Sequence, residues 1–358
     1  MKKTFKYISL FLCLLCVFFS VNNSFNVVNA ENENYSEIVM DINTNRVLYE
    51  KNSAKKRFMA SLTKIMTALV VLENCNENKI VTVDKQTTNI EGSSIYLVEG
   101  EKLSIKELLY GLMLRSGNDC AETLAVECAG NIENFAALMN KKAKEIGAKH
   151  TNFVNPHGLH NDNHYTTAYD LALICSYAMK NATFREIVST KKITISNTTK
   201  DYKRVLVNKN KLLFNNENAT GIKTGYTKKA GRCLASSFVK NGHEIVCVVL
   251  NVPPMFERCE ELANNSFNNF KQVKVLESDN VLDFVNFNNS NKKCPVYIKK
   301  DVVLPLQNNE IKKLKYEIKY DKNITLPIKK DTEIGKIKFF IENNLIFIEK
   351  IYTMVDIK

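Results

Sequence analysis

The chain has 358 residues and a formal net charge of +12, from 50 basic and 38 acidic side chains. Its 45% hydrophobic and 25% charged content is ordinary for a globular protein, which excludes a largely disordered chain. The length exceeds one typical domain, so a main domain and a smaller second domain are expected. Phosphate-loop and dinucleotide glycine signatures are absent, as is an aromatic-basic array, so neither a nucleotide cofactor nor a nucleic-acid partner is expected.

The first thirty residues have the order of a secretory signal peptide. Three lysines precede an apolar run over Ile8 to Phe19, and Val28-Asn29-Ala30 is a small-residue cleavage site. Because the run is short for a bilayer span, cleavage after Ala30 is favoured over an uncleaved anchor. The mature protein is then expected at the cell wall or the outer face of the cytoplasmic membrane. Its basic charge is interpreted as a solvated lysine-rich surface, with association to anionic wall polymers or lipid headgroups as the alternative.

Eight of the ten cysteines lie outside this segment. An even number in an exported chain normally indicates disulfides. These cysteines are scattered, however, and most sit in apolar runs such as Arg232-Cys233-Leu234-Ala235. Free cysteine packs as a small buried hydrophobe. We therefore expect mostly reduced core thiols, and hence a low-oxygen habitat.

In chain order, the first predicted element is a β-hairpin, because Glu37 to Asp41 and Arg46 to Glu50 alternate apolar and polar residues. Apolar residues then recur at helical spacing from Leu62 to Leu72. The next helix begins at a capping box, in which Ser104 precedes Glu107 by three residues. Three further helices are expected, over about Asp119 to Cys128, Asn134 to Ile146 and Thr167 to Lys180.

From Thr220 the apolar period becomes that of strands, which are expected over Gly221 to Thr227, Arg232 to Val239 and His243 to Asn251. Asn241-Gly242 is a strong signal for a tight hairpin turn. A closing helix is expected over Phe256 to Phe270. Strands at both ends with helices between them indicate an α+β fold with an antiparallel sheet rather than a parallel doubly wound sheet.

After about Gln272, short β-rich runs alternate with turns of asparagine, lysine and aspartate, which predicts a small all-β domain. The expected organisation is a signal peptide over residues 1–30, a main domain over 31–272 and a β-rich domain over 273–358.

Three short motifs carry the candidate chemistry. In Ser61-Leu62-Thr63-Lys64, a hydroxyl and an amine three residues apart on a helix face each other, about 5–6 Å apart at Cβ. The amine can then take the hydroxyl proton and create a nucleophile without histidine. Ser116-Gly117-Asn118 lies at an interhelical turn, and Lys223-Thr224-Gly225 on a probable edge strand. Each motif alone is weak, but their order and form are those of an acyl-transfer set.

A lysine acts as a base only when it is neutral, and its ordinary pKa of about 10.4 prevents that near pH 7. Burial and a second cation both lower such a pKa. If the motifs converge, Lys64 is the neutral base and Lys223 the charged anchor. Lys223 and Thr224 can then bind a substrate carboxylate, and Gly225 lets a substrate backbone lie close. The alternatives are that the lysines are surface residues and that the turn residues only cap the next helix.

Four of the five histidines lie close together in the sequence, at positions 150, 157, 160 and 164. The H-E-x-x-H pattern is absent, and Asn155-Pro156-His157-Gly158 reads as a turn. Histidines that hydrogen-bond to the backbone are therefore favoured over a zinc site, and no metal is expected.

The motifs lie within longer distinctive segments, namely Met40-Asp41, Val47 to Asn52, Ala60 to Ala68, Ser116 to Asp119, Asn152 to Leu159 and Gly221 to Thr227. On these residues the chain resembles the low-molecular-mass penicillin-binding proteins, the serine-type D-alanyl-D-alanine carboxypeptidases. The resemblance covers roughly Ser36 to Phe270 and is weaker beyond. It implies a β-lactamase/transpeptidase-like domain, with an antiparallel sheet, helices and a helical lobe, followed by the all-β domain.

The resemblance also implies roles. Ser61 attacks the D-Ala-D-Ala peptide bond with Lys64 as base, and Ser116, held with Asn118, relays a proton to the departing amine. The substrate-binding set is expected to be Asn118, Lys223, Thr224, Gly225 and Tyr226, with the Ser61 and Tyr226 N–H groups as the oxyanion hole. The implied substrate is a peptidoglycan stem pentapeptide, and β-lactams are expected to acylate Ser61.

Two departures from the family pattern stand out. Cys120 follows Asp119 where alanine is usual, and a last strand is expected before Lys358 where many relatives have a membrane-lying helix. Three rival functions follow from the same motifs. A D,D-endopeptidase stays open because the motifs do not set substrate length. A class A β-lactamase is disfavoured because no E-x-x-L-N stands between Asn118 and Lys223. A non-catalytic wall-binding protein is disfavoured by the intact motifs.

Overall fold

The computed structural model describes residues 34–196, 198–199, 203–286, 292–321 and 324–358. The predicted signal peptide lies outside the described residues. No helix among the residues that are described has both the length and the apolar composition needed to cross a bilayer.

Sixteen strands are assigned in these ranges. They are β1 (Ser36–Asp41), β2 (Val47–Lys51), β3 (Ile80–Thr82), β4 (Lys102–Ser104), β5 (Lys192–Ile195), β6 (Arg204–Val207), β7 (Ala219–Thr227), β8 (Gly231–Lys240), β9 (His243–Leu250), β10 (Lys271–Leu276), β11 (Asp283–Asn286), β12 (Lys293–Tyr297), β13 (Val302–Leu306), β14 (Leu314–Tyr320), β15 (Glu333–Ile341) and β16 (Asn344–Thr353). The α-helices are α1 (Thr63–Asn74), α2 (Ile105–Leu114), α3 (Asn118–Ala129), α4 (Ile132–Ile146), α5 (Ala168–Ala178), α6 (Ala182–Ser189), α7 (Leu212–Asn215) and α8 (Met255–Asn269).

The main sheet is antiparallel, with its five strands in the order β2-β1-β9-β8-β7. This confirms the predicted N-terminal hairpin and the three later strands. Asn241 and Gly242 both have positive φ, 52° and 76°, as the two-residue turn between β8 and β9 requires. Because β1 pairs with β9, the sheet joins the N-terminal hairpin to the three later strands. Strand β7 forms one edge of this sheet.

The helices also follow the predicted pattern. The capping box of Ser104 and Glu107 starts α2, and Gly147 ends α4 in the left-handed conformation. Helix α1 is buried from Thr63 to Val71, because its sequence is apolar on nearly every side. A lysine at its second position is therefore carried into the protein interior. The short strands β3 to β6 and the helix α6 were not predicted.

The C-terminal part has its own hydrophobic core, which includes Val296, Leu304, Ile337, Phe339 and Ile351. Its strands form an antiparallel sheet in the order β11-β12-β16-β15-β14, together with the pair β10-β13. The expected β-rich architecture is confirmed.

Arg46, which precedes β2, contacts the β-rich part of the chain. Its guanidinium lies 2.5 Å from Glu310 Oε1 and 5.3 Å from the centre of the Phe270 ring. The ion pair is shielded, since its two side chains are only 11% and 15% exposed. Such shielding makes an ion pair stronger than one on an open surface.

Candidate active site

Ser61 and Lys64 lie at the buried start of α1. Ser61 belongs to a single 3₁₀ turn, Ala60–Leu62, that leads into the helix rather than to the α-helix itself. Lys64 is the second residue of α1, so the two side chains lie three residues apart across the start of the helix and project from the same side. The Nζ of Lys64 accordingly lies 3.3 Å from the Oγ of Ser61.

The hydrogen bonds around Lys64 are those that a neutral amine can make. Its Nζ lies 2.6 Å from Asn118 Oδ1 and 2.6 Å from the His157 carbonyl oxygen, and both of these atoms can only accept. A neutral amine has two N–H donors and one lone pair. With both donors used on Asn118 and His157, the lone pair is left for the hydroxyl of Ser61. The geometry therefore matches a neutral lysine that accepts the serine proton.

The electrostatics agree with that geometry. Burial is the main cause that lowers the pKa of Lys64 well below its ordinary value, and the positive charge of Lys223 lowers it further. Lys64 is fully buried, with an exposed fraction of 0%. The interpretation of Lys64 as a surface lysine is therefore wrong.

Ser116 and Asn118 reach the same place from the turn before α3. The N-cap of α3 is Gly117 and uses no side-chain cap, so the expectation that these two side chains only cap the helix is wrong. Asn118 uses Oδ1 to hold Lys64, while its Nδ2 donates to the carbonyl of Glu91. Among the described residues, none offers a hydrogen-bonding atom within reach of the buried Ser116 Oγ.

The third motif lies on the edge strand β7. Lys223 is 1% exposed and donates from Nζ to the Thr224 carbonyl oxygen at 2.9 Å. Burial lowers the pKa of Lys223 to about 7, and the charge of Lys209 adds to that effect. A bound carboxylate would raise this pKa again.

Gly225 allows β7 to pack against the segment that carries Ser61. A Cβ at Gly225 would lie 3.2 Å from both the Met59 carbonyl oxygen and the Ser61 nitrogen. Gly158 approaches from the other side, since a Cβ there would lie 1.9 Å from the Ala60 carbonyl oxygen. Glycine at both positions therefore lets two segments of backbone enclose the serine.

The backbone at the site is strained. Ala60 and Ser116 both adopt positive φ, 48° and 66°, although neither is glycine. Each such residue costs on the order of 1–3 kcal/mol and is maintained only where surrounding packing enforces it. Ala60 directly precedes Ser61, and Ser116 is itself a candidate site residue, so the strain lies at the site.

The clustered histidines do not share one role. His157 accepts from the Leu159 N–H at Nδ1, and its Nε2 lies 3.3 Å from Glu122 Oε1. This arrangement holds the residue whose carbonyl binds Lys64. His164 accepts from the Val154 N–H. Both therefore bond to backbone groups, as favoured from the sequence. Within the described ranges, no cluster of three histidine, cysteine or acidic side chains forms a metal site.

Two contributors to the site escaped sequence reasoning. Lys209, just after β6, lines the cleft and donates to Ser93 Oγ at 3.0 Å. Nothing in its local sequence distinguishes it from the many other lysines of this chain. Asp119 is buried and accepts from the backbone N–H groups of Ile95 and Leu97 and from the Ser94 hydroxyl, which holds the adjoining loop in place. Its place directly after Asn118 was the only available signal.

The result is an open cleft of about 330 Å³. Its lining includes four residues of the three motifs, with Lys64, Asn118 and Lys223 buried around it. The lining residues are Ser61, Ser93, Ser116, Lys209, Thr224, Gly225, Tyr226, Met255 and Phe256. All eight predicted site residues are thus brought to one cleft or its walls.

Comparisons with known proteins show which proteins the chain is similar to. A family model described as D-alanyl-D-alanine carboxypeptidase matches residues 23–254, and one described as penicillin-binding protein 5, C-terminal domain, matches residues 270–358. The D-alanyl-D-alanine carboxypeptidase DacF of Bacillus subtilis is 33% identical over 310 residues, which cover 84% of this chain and 79% of the relative.

Solved structures show the same likeness. Penicillin-binding protein 5 from Haemophilus influenzae superposes with a TM-score of 0.76 at 28% identity, over 90% of this chain and 96% of the other. The K15 DD-transpeptidase from Streptomyces superposes with a TM-score of 0.60 at 35% identity, over 64% of this chain and 94% of the other.

Proposed function

This chain belongs to the D-alanyl-D-alanine carboxypeptidase family, and we propose that Ser61 is the nucleophile that the substrate acylates, with Lys64 as the general base. The observation that carries the proposal is the environment of Lys64. Its Nζ lies within hydrogen-bonding distance of Asn118 Oδ1, the His157 carbonyl oxygen and Ser61 Oγ. In a neutral amine the first two acceptors would use both N–H donors and leave the lone pair for Ser61. Family membership supplies the reaction, hydrolysis by a serine peptidase, and this geometry supports the assignment of the residues.

The proposed reaction proceeds in two halves. Lys64 takes the Ser61 proton as Oγ attacks the carbonyl carbon between the last two D-alanines, and an acyl-enzyme forms as the C–N bond breaks. The departing amine takes up the proton that Lys64 received, with Ser116 proposed as the relay. Its buried Oγ has no hydrogen-bond partner within the described chain, which supports a role toward the amine. Water then attacks the acyl-enzyme, and Ser61 is regenerated with release of the shortened peptide.

Two further groups stabilise the charges of substrate and transition state. The backbone N–H groups of Ser61 and Tyr226 are proposed as the oxyanion hole, supported by the packing of β7 at Gly225 against the Ser61 nitrogen. Loss of one such donor costs about 10²–10³ in rate in a comparable site. Lys223, Thr224 and Lys209 are proposed to bind the terminal carboxylate, since they supply the cationic and hydroxyl groups along one wall.

The proposed substrate is the peptidoglycan stem pentapeptide that ends in D-Ala-D-Ala, processed outside the cytoplasm, and β-lactams are proposed as acylating inhibitors. A direct test compares three reactions of the purified protein: D-alanine release from a pentapeptide, cleavage of cross-linked dimers, and hydrolysis of penicillin. D-alanine release as the fastest reaction supports the carboxypeptidase. Faster cleavage of the dimers would replace it with the endopeptidase, and rapid penicillin turnover with the β-lactamase.

Lys209→Ala is expected to raise KM for a pentapeptide about tenfold with a smaller change in kcat, because one charge-assisted hydrogen bond to the terminal carboxylate is lost. The measurement is D-alanine release at several substrate concentrations. An analogue with an amidated C-terminus should show little further loss, since it has no carboxylate to bind.

The matched control is Lys211→Ala, an exposed lysine two residues further on. It should leave both kinetic constants unchanged. Equal losses on the acid and on the amide substrate would remove Lys209 from carboxylate binding.

A further inference from the structure

The hydroxyl of Thr63 and the imidazole of His164 form a buried pair that the proposed mechanism does not use. Thr63 is the first residue of α1, and His164 lies between α4 and α5. The His164 Nε2 lies 2.7 Å from Thr63 Oγ1, which in turn lies 2.8 Å from the Ala60 carbonyl oxygen. Both side chains are shielded from water. The contacts therefore lead from the interior to the residue that directly precedes Ser61.

The atoms available in this chain of contacts set the direction of each hydrogen bond. The Nδ1 of His164 accepts the Val154 N–H at 3.1 Å, so the proton of a neutral ring lies on Nε2. Burial is the main cause that lowers the pKa of His164 to about 3, which keeps the ring neutral near pH 7. Nε2–H therefore donates to Thr63 Oγ1. The single proton of that hydroxyl is then directed to the Ala60 carbonyl oxygen.

The Ala60 carbonyl and the Ser61 N–H belong to one peptide unit. This unit is planar and trans, so the two groups point in opposite directions and turn together. A hydrogen bond that holds the carbonyl on the side of Thr63 therefore holds the N–H on the opposite side. The Ser61 nitrogen faces β7, since a Cβ at Gly225 would lie 3.2 Å from it. Hydrogen bonds in a chain also polarise one another, which strengthens the last donor.

Other contacts hold the Ala60 carbonyl in the same direction. Its oxygen also accepts the backbone N–H of Thr63, so one residue supplies two donors. Ala60 has a positive φ of 48°, a conformation that is maintained only where surrounding contacts enforce it. A Cβ at Gly158 would lie 2.8 Å from Thr63 Oγ1, so glycine at that position leaves room for the hydroxyl.

We propose that Thr63 and His164 are positioning residues for the oxyanion hole. Their hydrogen bonds orient the peptide between Ala60 and Ser61 so that the Ser61 N–H faces the carbonyl oxygen under attack. The inference rests on the proposed function, in which Ser61 is the nucleophile and its N–H an oxyanion donor. Because the charge on that oxygen develops only during reaction, the pair should act on kcat and not on substrate binding.

The first test is Thr63→Val, which nearly keeps the shape of the side chain and removes its hydroxyl. It should lower kcat for D-alanine release about tenfold with KM unchanged, a part of the loss that removal of a whole oxyanion donor causes. Thr63→Ser returns the hydroxyl and should restore most of the rate. Thr123→Val is the matched control, because Thr123 is also buried and donates to Thr87 Oγ1 at 2.9 Å. It should keep the wild-type kcat.

A pair of substrates separates oxyanion positioning from a general loss of structure. A depsipeptide ester and its thiono analogue differ only at the atom that the oxyanion hole binds, where sulfur is the weaker acceptor. The wild-type chain should prefer oxygen, measured as the ratio of the two kcat/KM values. That preference should shrink in Thr63→Val by about the factor lost in kcat and should persist in Thr123→Val. An unchanged preference in Thr63→Val would overturn the proposal.

His164→Phe is the second variant, because it keeps a ring beside Phe153 and removes the donor to Thr63. It should lower kcat by a smaller factor than Thr63→Val, since the Thr63 hydroxyl remains. If neither variant folds, nitrogen NMR of the wild-type imidazole decides the matter. A neutral ring that is protonated on Nε2 throughout the pH range of activity is expected. A proton on Nδ1, or titration at an ordinary histidine pKa, would overturn the proposal.

The two proposals fail in different ways. Full activity in Thr63→Val, together with loss of activity in Ser61→Ala, would overturn the positioning role and leave the proposed function in place. Full activity in Ser61→Ala would overturn both.

Discussion

Ser61→Ala is expected to abolish covalent labelling by a fluorescent penicillin and to lower D-alanine release by at least about 10³-fold. The reason is chemical, because the methyl group offers no oxygen to form the acyl bond. Residual turnover would come only from the oxyanion hole and substrate binding, which elsewhere leave a small rate above that of water. The measurement is in-gel fluorescence with mass spectrometric location of the adduct, alongside a D-alanine assay.

The fold of this variant should persist. Ser61 is partly exposed, and its hydroxyl lies 3.3 Å from Lys64, so removing it should change the free energy of unfolding by less than about 1 kcal/mol. Ser93→Ala is the matched control, since Ser93 lines the same cleft and bonds Lys209. It should still be labelled. An adduct that persists in Ser61→Ala would mean that another residue is the nucleophile.

Lys64→Met is expected to lower the acylation rate by at least about 10³-fold, because it removes the base and keeps a side chain of similar volume. The measurement is the second-order rate of penicillin acylation. Lys211→Met, an exposed lysine of the same chain, should acylate at the wild-type rate. An unchanged rate in Lys64→Met would exclude this lysine as the base.

The pH profile tests the same assignment in the wild-type chain. Acylation needs neutral Lys64, so its rate should rise with pH as Lys64 loses its proton and then level off. Because burial and Lys223 hold the pKa of Lys64 well below its usual 10.5, the rise should be complete before that pH. Lys223→Gln removes a repelling cation and should move the rise to higher pH. A rise centred near 10.5 would show an ordinary, solvated lysine.

Much of the fold follows from local patterns. The capping box at Ser104 and the Asn241-Gly242 turn each act within a few residues, and the structure has both where they were predicted. Short strands such as β5 and β6 were missed because four residues carry too little periodicity to separate from a loop.

The candidate site residues also divide into those that local sequence patterns predicted and those that they did not. Ser61, Ser116 and Lys223 were found because each lies in a short motif. Lys209 was not found, because it has no motif and reaches the cleft only through the path of the chain after β6.

The amino-acid sequence by itself determined the family, the strands of the main sheet with most of the helices, and the candidate site residues, because these depend on residue identity and near neighbours. Only the tertiary structure decided how readily Lys64 loses its proton. Lys64 has a lowered pKa because α1 is buried and Lys223 approaches from a strand about 160 residues away in the chain. Desolvation and charge interactions depend on distance in space, which spacing along the chain does not specify.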